Sequence, residues 1–165
     1  MPSPIVNLSD VTLTDHAHGE CFEARLASLG PLIGAQQLGA RLCVIPPGKA
    51  AWPFHAHVAN EEMVVVLAGC GSLRLGEHRH PLKTGDVVSL AAGGIDTAHQ
   101  IVNDSDAELR YLALSTMHHP EVAFYPDSGK FGVLAGAAPG DKHQPRLFEF
   151  FGHAEDHKGY WHDED

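Results

Sequence analysis

The chain has 165 residues, 44% of them apolar, with 17 glycines and 11 prolines. That length fits one domain with a core of its own, and the glycine and proline content suits a β-protein with many turns. Eleven Lys and Arg against 21 Asp and Glu give a formal net charge of -10, which argues against nucleic acid, whose phosphates need a basic face, and against an anionic membrane surface.

Taken in chain order, the N-terminus Met1-Pro2-Ser3-Pro4-Ile5-Val6 has no basic segment and no apolar h-region of a secretory signal. Three cysteines, Cys21, Cys43 and Cys70, are an odd number without metal-type pairing and read as free thiols of a reducing compartment. The longest apolar run is far short of a membrane span, so the expected location is the cytoplasm. Residues 20–29 are compatible with a short helix that Gly30-Pro31 stops. Residues 37–46 read as a long strand, followed by strands at 52–57, 62–68, 71–76, 85–91, 98–103 and 108–116, separated by glycine, proline or Asp/Asn/Ser breaks. Short strands at this spacing predict an antiparallel barrel or jelly roll, and nothing from 35 to 117 demands a helix. Beyond His118 the pattern changes. Tyr125-Pro126-Asp127-Ser128-Gly129 signals a turn, 131–134 an outer strand, and 135–144 a loop. The tail from Phe148 to Trp161 carries too many aromatics for a disordered segment and is expected to pack on the barrel or on a partner subunit. No internal repeat is visible.

Chemistry concentrates at His55-Ala56-His57 and Glu62. On a strand the two histidines point the same way, about 6.6 Å apart, close enough to tilt onto one ion about 2.0–2.1 Å from each nitrogen. Four residues separate His57 from Glu62, room for a turn. Glu62 then opens the returning strand, where Val64 and Val66 share its inward face and Met63, Val65 and Leu67 face the other way; with both faces apolar, cover on both sides is expected. His99 lies 42 residues beyond His57, so only the tertiary fold can bring it to the same place. Geometry along the chain supports the first three ligands and leaves His99 open.

The stretch from Gly48 through His55, His57 and Glu62 to Gly69 resembles the first motif of the cupin family. The stretch holding Gly85, Gly93, His99 and Asn103 resembles the second. The resemblance implies an all-β fold, the cupin double-stranded β-helix or antiparallel jelly-roll barrel with N- and C-terminal extensions. It forms one domain over 1–165, with the barrel core at about 37–117 and the extension at 118–165. It also implies that His55, His57, Glu62 and His99 hold one divalent metal ion per chain. Nitrogen and oxygen donors admit Zn, Mn, Fe, Ni or Co. Three departures stand out: one extra residue before His55, Ala91 in place of the motif proline, and five residues (Gly94-Ile95-Asp96-Thr97-Ala98) before His99 where the pattern has two. The segment from Tyr125 to Lys130 is also similar to one that follows the barrel in small bacterial cupins.

Other residues were weighed against blander roles. His78-Arg79-His80 repeats the His-x-His pattern, but it reads as a hairpin turn between Gly76 and Pro81, solvated surface without a returning carboxylate. Asn103 reads as structural. Arg110 and Tyr111 lie on the last barrel strand, and one of them faces inward as a candidate catalytic acid/base or anion-binding group. Arg41 and Gln37 share a face of the 37–46 strand and are similar candidates. Trp52 and Phe54 fall opposite His55 and His57 and read as packing. The function that fits what the cupin resemblance suggests is a metal-dependent isomerase acting on a small hydroxy-carbonyl or sugar (phosphate)-like substrate. Arg41, Arg110 and Lys49 are the few cations available to a phosphate. The alternatives are an iron-dependent dioxygenase and a non-catalytic binding or sensing module. The expected partner is a second copy, a homodimer through the 37–46 strand or the tail.

Overall fold

A computed structural model describes residues 3–138 and 145–164, and in it the alternating pattern becomes two antiparallel layers. The chain forms β1 (Thr14–His18), β2 (Phe22–Ser28), a one-turn helix α1 (Gly30–Ile33), β3 (Leu38–Ile45), β4 (Ala56–His57), β5 (Glu62–Ala68), β6 (Cys70–Leu75) and β7 (His78–Lys83). It continues with β8 (Val87–Leu90), β9 (His99–Val102), β10 (Leu109–Thr116), β11 (Glu121–Tyr125), β12 (Lys130–Ala135) and β13 (Phe148–His153). One layer runs β1-β2-β3-β10-β5-β8. The other combines β7-β6-β9 with β4-β11-β12-β13. Its two parts join where the backbones of His55 and His99 exchange hydrogen bonds of 3.1 and 2.8 Å.

Side-chain alternation fills the space between the layers. Cys43, Ile45, Val64, Val66, Leu109 and Tyr111 come from one layer and Leu73 and Ile101 from the other. The outer face of the first layer is covered by the N-terminal segment, where Leu8, Val11 and Leu13 pack on Ala27, Leu29 and Leu42. On β5, Val64 and Val66 are buried as expected. Leu67 is covered from outside, but Met63 is 43% exposed, so the cover is partial.

Several local expectations are corrected. Residues 22–28 are a strand, not a helix: Ala24 and Leu26 face the inner core while Ala27 faces the outer cluster, and pairing of Arg25–Ser28 with β3 overrides helix propensity. The helical turn starts at Gly30, with Pro31 in its first turn, where a missing N–H costs nothing. The 52–57 strand shrinks to Ala56–His57, because Pro53 has no N–H for a ladder. His78-Arg79-His80 is not a turn but the start of β7, paired with β6; the chain reverses one step earlier, at Gly76, where φ is 55°. The five-residue departure before His99 contains a one-turn 3-10 helix, Ile95–Thr97, in a region expected to need none. Sheet pairing reaches past 37–117 on both sides, since β2 joins β3 and β11 joins β4. The tail returns as β13 on β12. Of the expected 135–144 loop, residues 139–144 lie outside the described residues. Among the described residues, no helix is long and apolar enough to cross a membrane.

Asn103 ties the end of β9 to its surroundings. Its Nδ2 donates to the carbonyls of Ile45 and Ala107, both at 2.8 Å, and its Oδ1 accepts from the Ser105 N–H and hydroxyl. Since the side chain is fully buried, Asn103→Ala leaves two carbonyls without that donor. The expected loss is about 2–3 kcal/mol in urea unfolding, with no change in metal content per folded chain.

Candidate metal centre

Three elements aim their donors at one point. His55 precedes the short β4, His99 opens β9, and Glu62 opens β5 in the opposite layer. One donor atom from each of His55, Glu62 and His99 lies within 4.8 Å of the others. Backbone carbonyls set both imidazoles: His55 Nδ1 is 2.7 Å from Pro53 O, and His99 Nδ1 is 3.2 Å from Thr97 O. With the proton on each Nδ1, the Nε2 lone pairs would face a bound ion, the arrangement that orients metal-binding histidines; against Glu62 alone, His99 Nε2–H donates to the carboxylate. His99 Nε2 and Glu62 Oε2 are 2.9 Å apart.

His57 stands beside this trio rather than within it. Its Nε2 is 3.9 Å from Glu62 Oε1, and its Nδ1 is 3.3 Å from Oε2 of Glu121 on β11. That second contact is too poorly aligned for a hydrogen bond and leaves the buried Nδ1 without an aligned partner. Glu121 is fully buried. It accepts from the N–H groups of Ala59 and Val122, each at 2.9 Å, and from the Asn60 amide. Sequence reading missed Glu121, although an acid opening an apolar strand, as Glu62 does, was the available signal. It also missed Tyr125, whose ring stacks near His55 with centroids 6.2 Å apart.

The electrostatics favour ligation. Burial first, and then His57 and His99, push His55 down to about 4, so it is neutral at neutral pH. Burial also opposes ionisation of Glu62, but the His99 hydrogen bond and the neighbouring imidazoles outweigh it and hold Glu62 at about 2. In His57, burial is overcome by Glu121 and Glu62, and the pKa rises. Imidazole nitrogens and a carboxylate form a donor set that suits a divalent ion.

The remaining candidates separate cleanly. Tyr111 faces inward and is buried, resolving the parity left open with its neighbour. Arg110 faces outward and donates to Leu8 O at 3.3 Å, so it has no place beside the cluster. His78 and His80 are exposed, far along the chain from any carboxylate cluster. Trp52 is not only packing, because it lines the cavity above the cluster together with Arg41; Phe54 is packed against Ala56 and Ala98.

Residues 41–115 match the model of the Cupin_2 family, the cupin domain. No curated protein matches the chain by sequence. Among solved structures, a protein of Acidithiobacillus ferrooxidans, provisionally described as a sugar phosphate isomerase, aligns with a TM-score of 0.79 at 24% identity, covering 95% of this chain and 96% of its own. A sugar phosphate isomerase of the cupin superfamily from Silicibacter pomeroyi aligns at 0.75 and 24% identity over 92% of this chain and 94% of its own. The polyketide cyclase RemF of Streptomyces resistomycificus aligns at 0.58 and 20% identity over 68% and 78%. At these identities the likeness is one of fold.

Two measurements check the site. Elemental analysis of tag-free protein is expected to find stoichiometric metal in His80→Ala and none in His55→Ala; equal content in both overturns the ligand assignment. Glu62 sits below its ordinary 4.5 in the folded chain, so its ionised form stabilises the fold. That contribution is complete above about pH 4.5 and is lost as pH falls toward 2. In thermal melts of chelator-treated protein, Glu62→Gln is expected to flatten the fall in Tm across that window while keeping the part due to Glu121, whose pKa is also lowered.

Proposed function

We propose that this chain, a small cupin-domain protein, is a metal-dependent enzyme of isomerase type acting on a small hydroxy-carbonyl or sugar-like compound. The observation that carries this reading is that the His55, Glu62 and His99 donors open onto a cavity of about 1340 Å³, also lined by His57 and Tyr111. His55, Glu62 and His99, with His57 beside them, would hold a divalent ion, which would supply Lewis acidity to a carbonyl or hydroxyl oxygen. Tyr111 keeps its proton, since burial and then Cys43 push its pKa well up. It therefore acts as a hydrogen-bond donor, not a base. A proton acceptor is available on β1, where Asp15 and His16 line the same cavity. The two isomerase-named structures agree with the reading but lend it fold alone.

The test is metal-dependent incorporation of solvent deuterium beside the carbonyl when aldoses, ketoses and hydroxy-oxo acids are incubated in heavy water. No exchange across the panel with any of the five metals rejects the isomerase. Tyr111→Phe is expected to lower turnover by roughly 10²-fold at unchanged metal content. A second reading, an iron dioxygenase, draws on the trio itself, because two histidines and one carboxylate with open positions suit non-haem iron. Oxygen uptake on substrate addition to the iron-loaded protein separates the two. A binding or sensing role is left if ligands bind and neither reaction occurs. We extend the proposal to self-pairing, supported by the aromatic edge strand β13, where Phe148 and Phe150 are exposed; a monomer mass by light scattering rejects it.

A further inference from the structure

An acidic chain offers few cations to a substrate, and among the described residues the fold leaves one of them on the cavity. Lys49 turns away to the carbonyl of Glu20, and Arg110 lies on the outer face at Leu8. Arg41 is the one Lys or Arg among the described residues that line the cavity. The strand register shows where it stands. Arg41 pairs with Ala113 on β10, and Ala113 pairs with Val64 on β5, so the three share the inward face. Glu62 is two residues along β5 from Val64. Two inter-strand steps and two residues put the Arg41 Cα roughly 12 Å from that of Glu62. A small molecule reaching the metal donors at one end therefore meets Arg41 at the other.

Arg41 is built for this contact. Its guanidinium carbon lies 5.3 Å from the centroid of the Trp52 ring, and Trp52 is fixed by Gln100 Nε2, which donates to the Trp52 carbonyl at 2.8 Å. Stacking engages the face of the guanidinium and leaves its N–H edge free. Among the described residues, no carboxylate pairs with it.

We propose that Arg41 binds a carboxylate of the substrate, so that the enzyme acts on a hydroxy- or oxo-acid rather than on a sugar phosphate. The fork of one guanidinium matches a carboxylate in geometry and in charge. A phosphate ester carries about −1.5 to −2, which one arginine leaves unbalanced, and Asp10 and Asp15 line the same cavity. The inference rests on the cavity being a substrate site, as argued above, but not on the reaction.

The chain has two tryptophans, Trp52 and Trp161, so Trp161→Phe leaves the fluorescence of Trp52 as a direct reporter. Protein as purified in that background is titrated with D-ribonate, D-ribose and D-ribose 5-phosphate at constant ionic strength. Ribonate is expected to perturb the emission saturably and to bind more tightly than either other ligand. Arg41→Gln is expected to weaken ribonate by at least about tenfold, as for a lost charge-assisted pair, with Arg41→Lys in between and ribose unaffected. Ribose 5-phosphate binding as tightly as ribonate overturns the proposal even if the variants fail to fold, and so does ribonate binding unchanged in Arg41→Gln. Turnover is not read, so a failed isomerase assay and a failed Arg41 role are separate results.

Discussion

The two hydrogen bonds that His55 and His99 exchange through their backbones determine the rest of the site. They join the two parts of one layer, and they put two imidazoles from distant segments side by side, with ring centroids 4.9 Å apart. The residues around this pair serve to reach it. The five residues after Gly93 would otherwise push His99 out of register. They coil instead into a single turn, where Thr97 N–H and hydroxyl both bond Gly94 O, and the Gly93 N–H fastens the start of that turn to His57 O at 2.8 Å. An insertion beside a ligand is absorbed because it closes its own hydrogen bonds.

The opposite side of the cluster depends on a second buried device. His57 and Glu62 are separated by a four-residue turn, and Asn60 holds it. Its Oδ1 accepts from Thr116 Oγ1 and from His118 N–H, and its Nδ2 donates to His118 O and to Glu121. Glu121 completes the arrangement by accepting from Ala59 N–H while lying against His57. Buried polar groups of this kind are tolerated only when satisfied on all sides. The turn that spaces two neighbouring donors is thus set by a carboxylate about sixty positions further on. Positioning of the donors is a property of both layers, not of the local motif.

This explains what was legible in the chain. His55, His57 and Glu62 could be read from alternation and turn length, because their relation is local. The β5 strand could be read with its inward valines, because its period of two is kept from Glu62 to Ala68. Residues 22–28 were misjudged because two alanines and a leucine look helical until β3 is beside them. The 78–80 histidines were misplaced by a single hairpin step, since Gly76 and Glu77 already reverse the chain before His78. Glu121 escaped because its partner is far away in sequence. Arg110 and Tyr111 could not be told apart until a register was known, and that register includes an irregularity at this very pair, where Arg110 faces Ala68 and Tyr111 faces Val66.

Between the donor cluster and Arg41, the cavity floor narrows the chemistry. Cys43 pairs with Tyr111 across β3 and β10, and both are buried. Burial pushes the Cys43 thiol up to about 12, and the nearby Arg41 charge, which pulls the other way, does not reverse this. A thiol that stays protonated is a poor nucleophile, so Cys43 is not set up to attack a substrate carbon. Tyr111 is held protonated by the same burial. Tyr111 lines the cavity and can therefore donate to a substrate oxygen, whereas Cys43, fully buried in the core behind it, does not reach the cavity. Across the inward face, charges of opposite sign, the Glu62 carboxylate and the Arg41 guanidinium, stand at two ends of the cavity, with Tyr111 on its floor and Asp10 and Asp15 on its N-terminal wall. On the proposed reading, such a site would orient a molecule end to end, and proton movement rather than bond formation to the protein would define what happens in between.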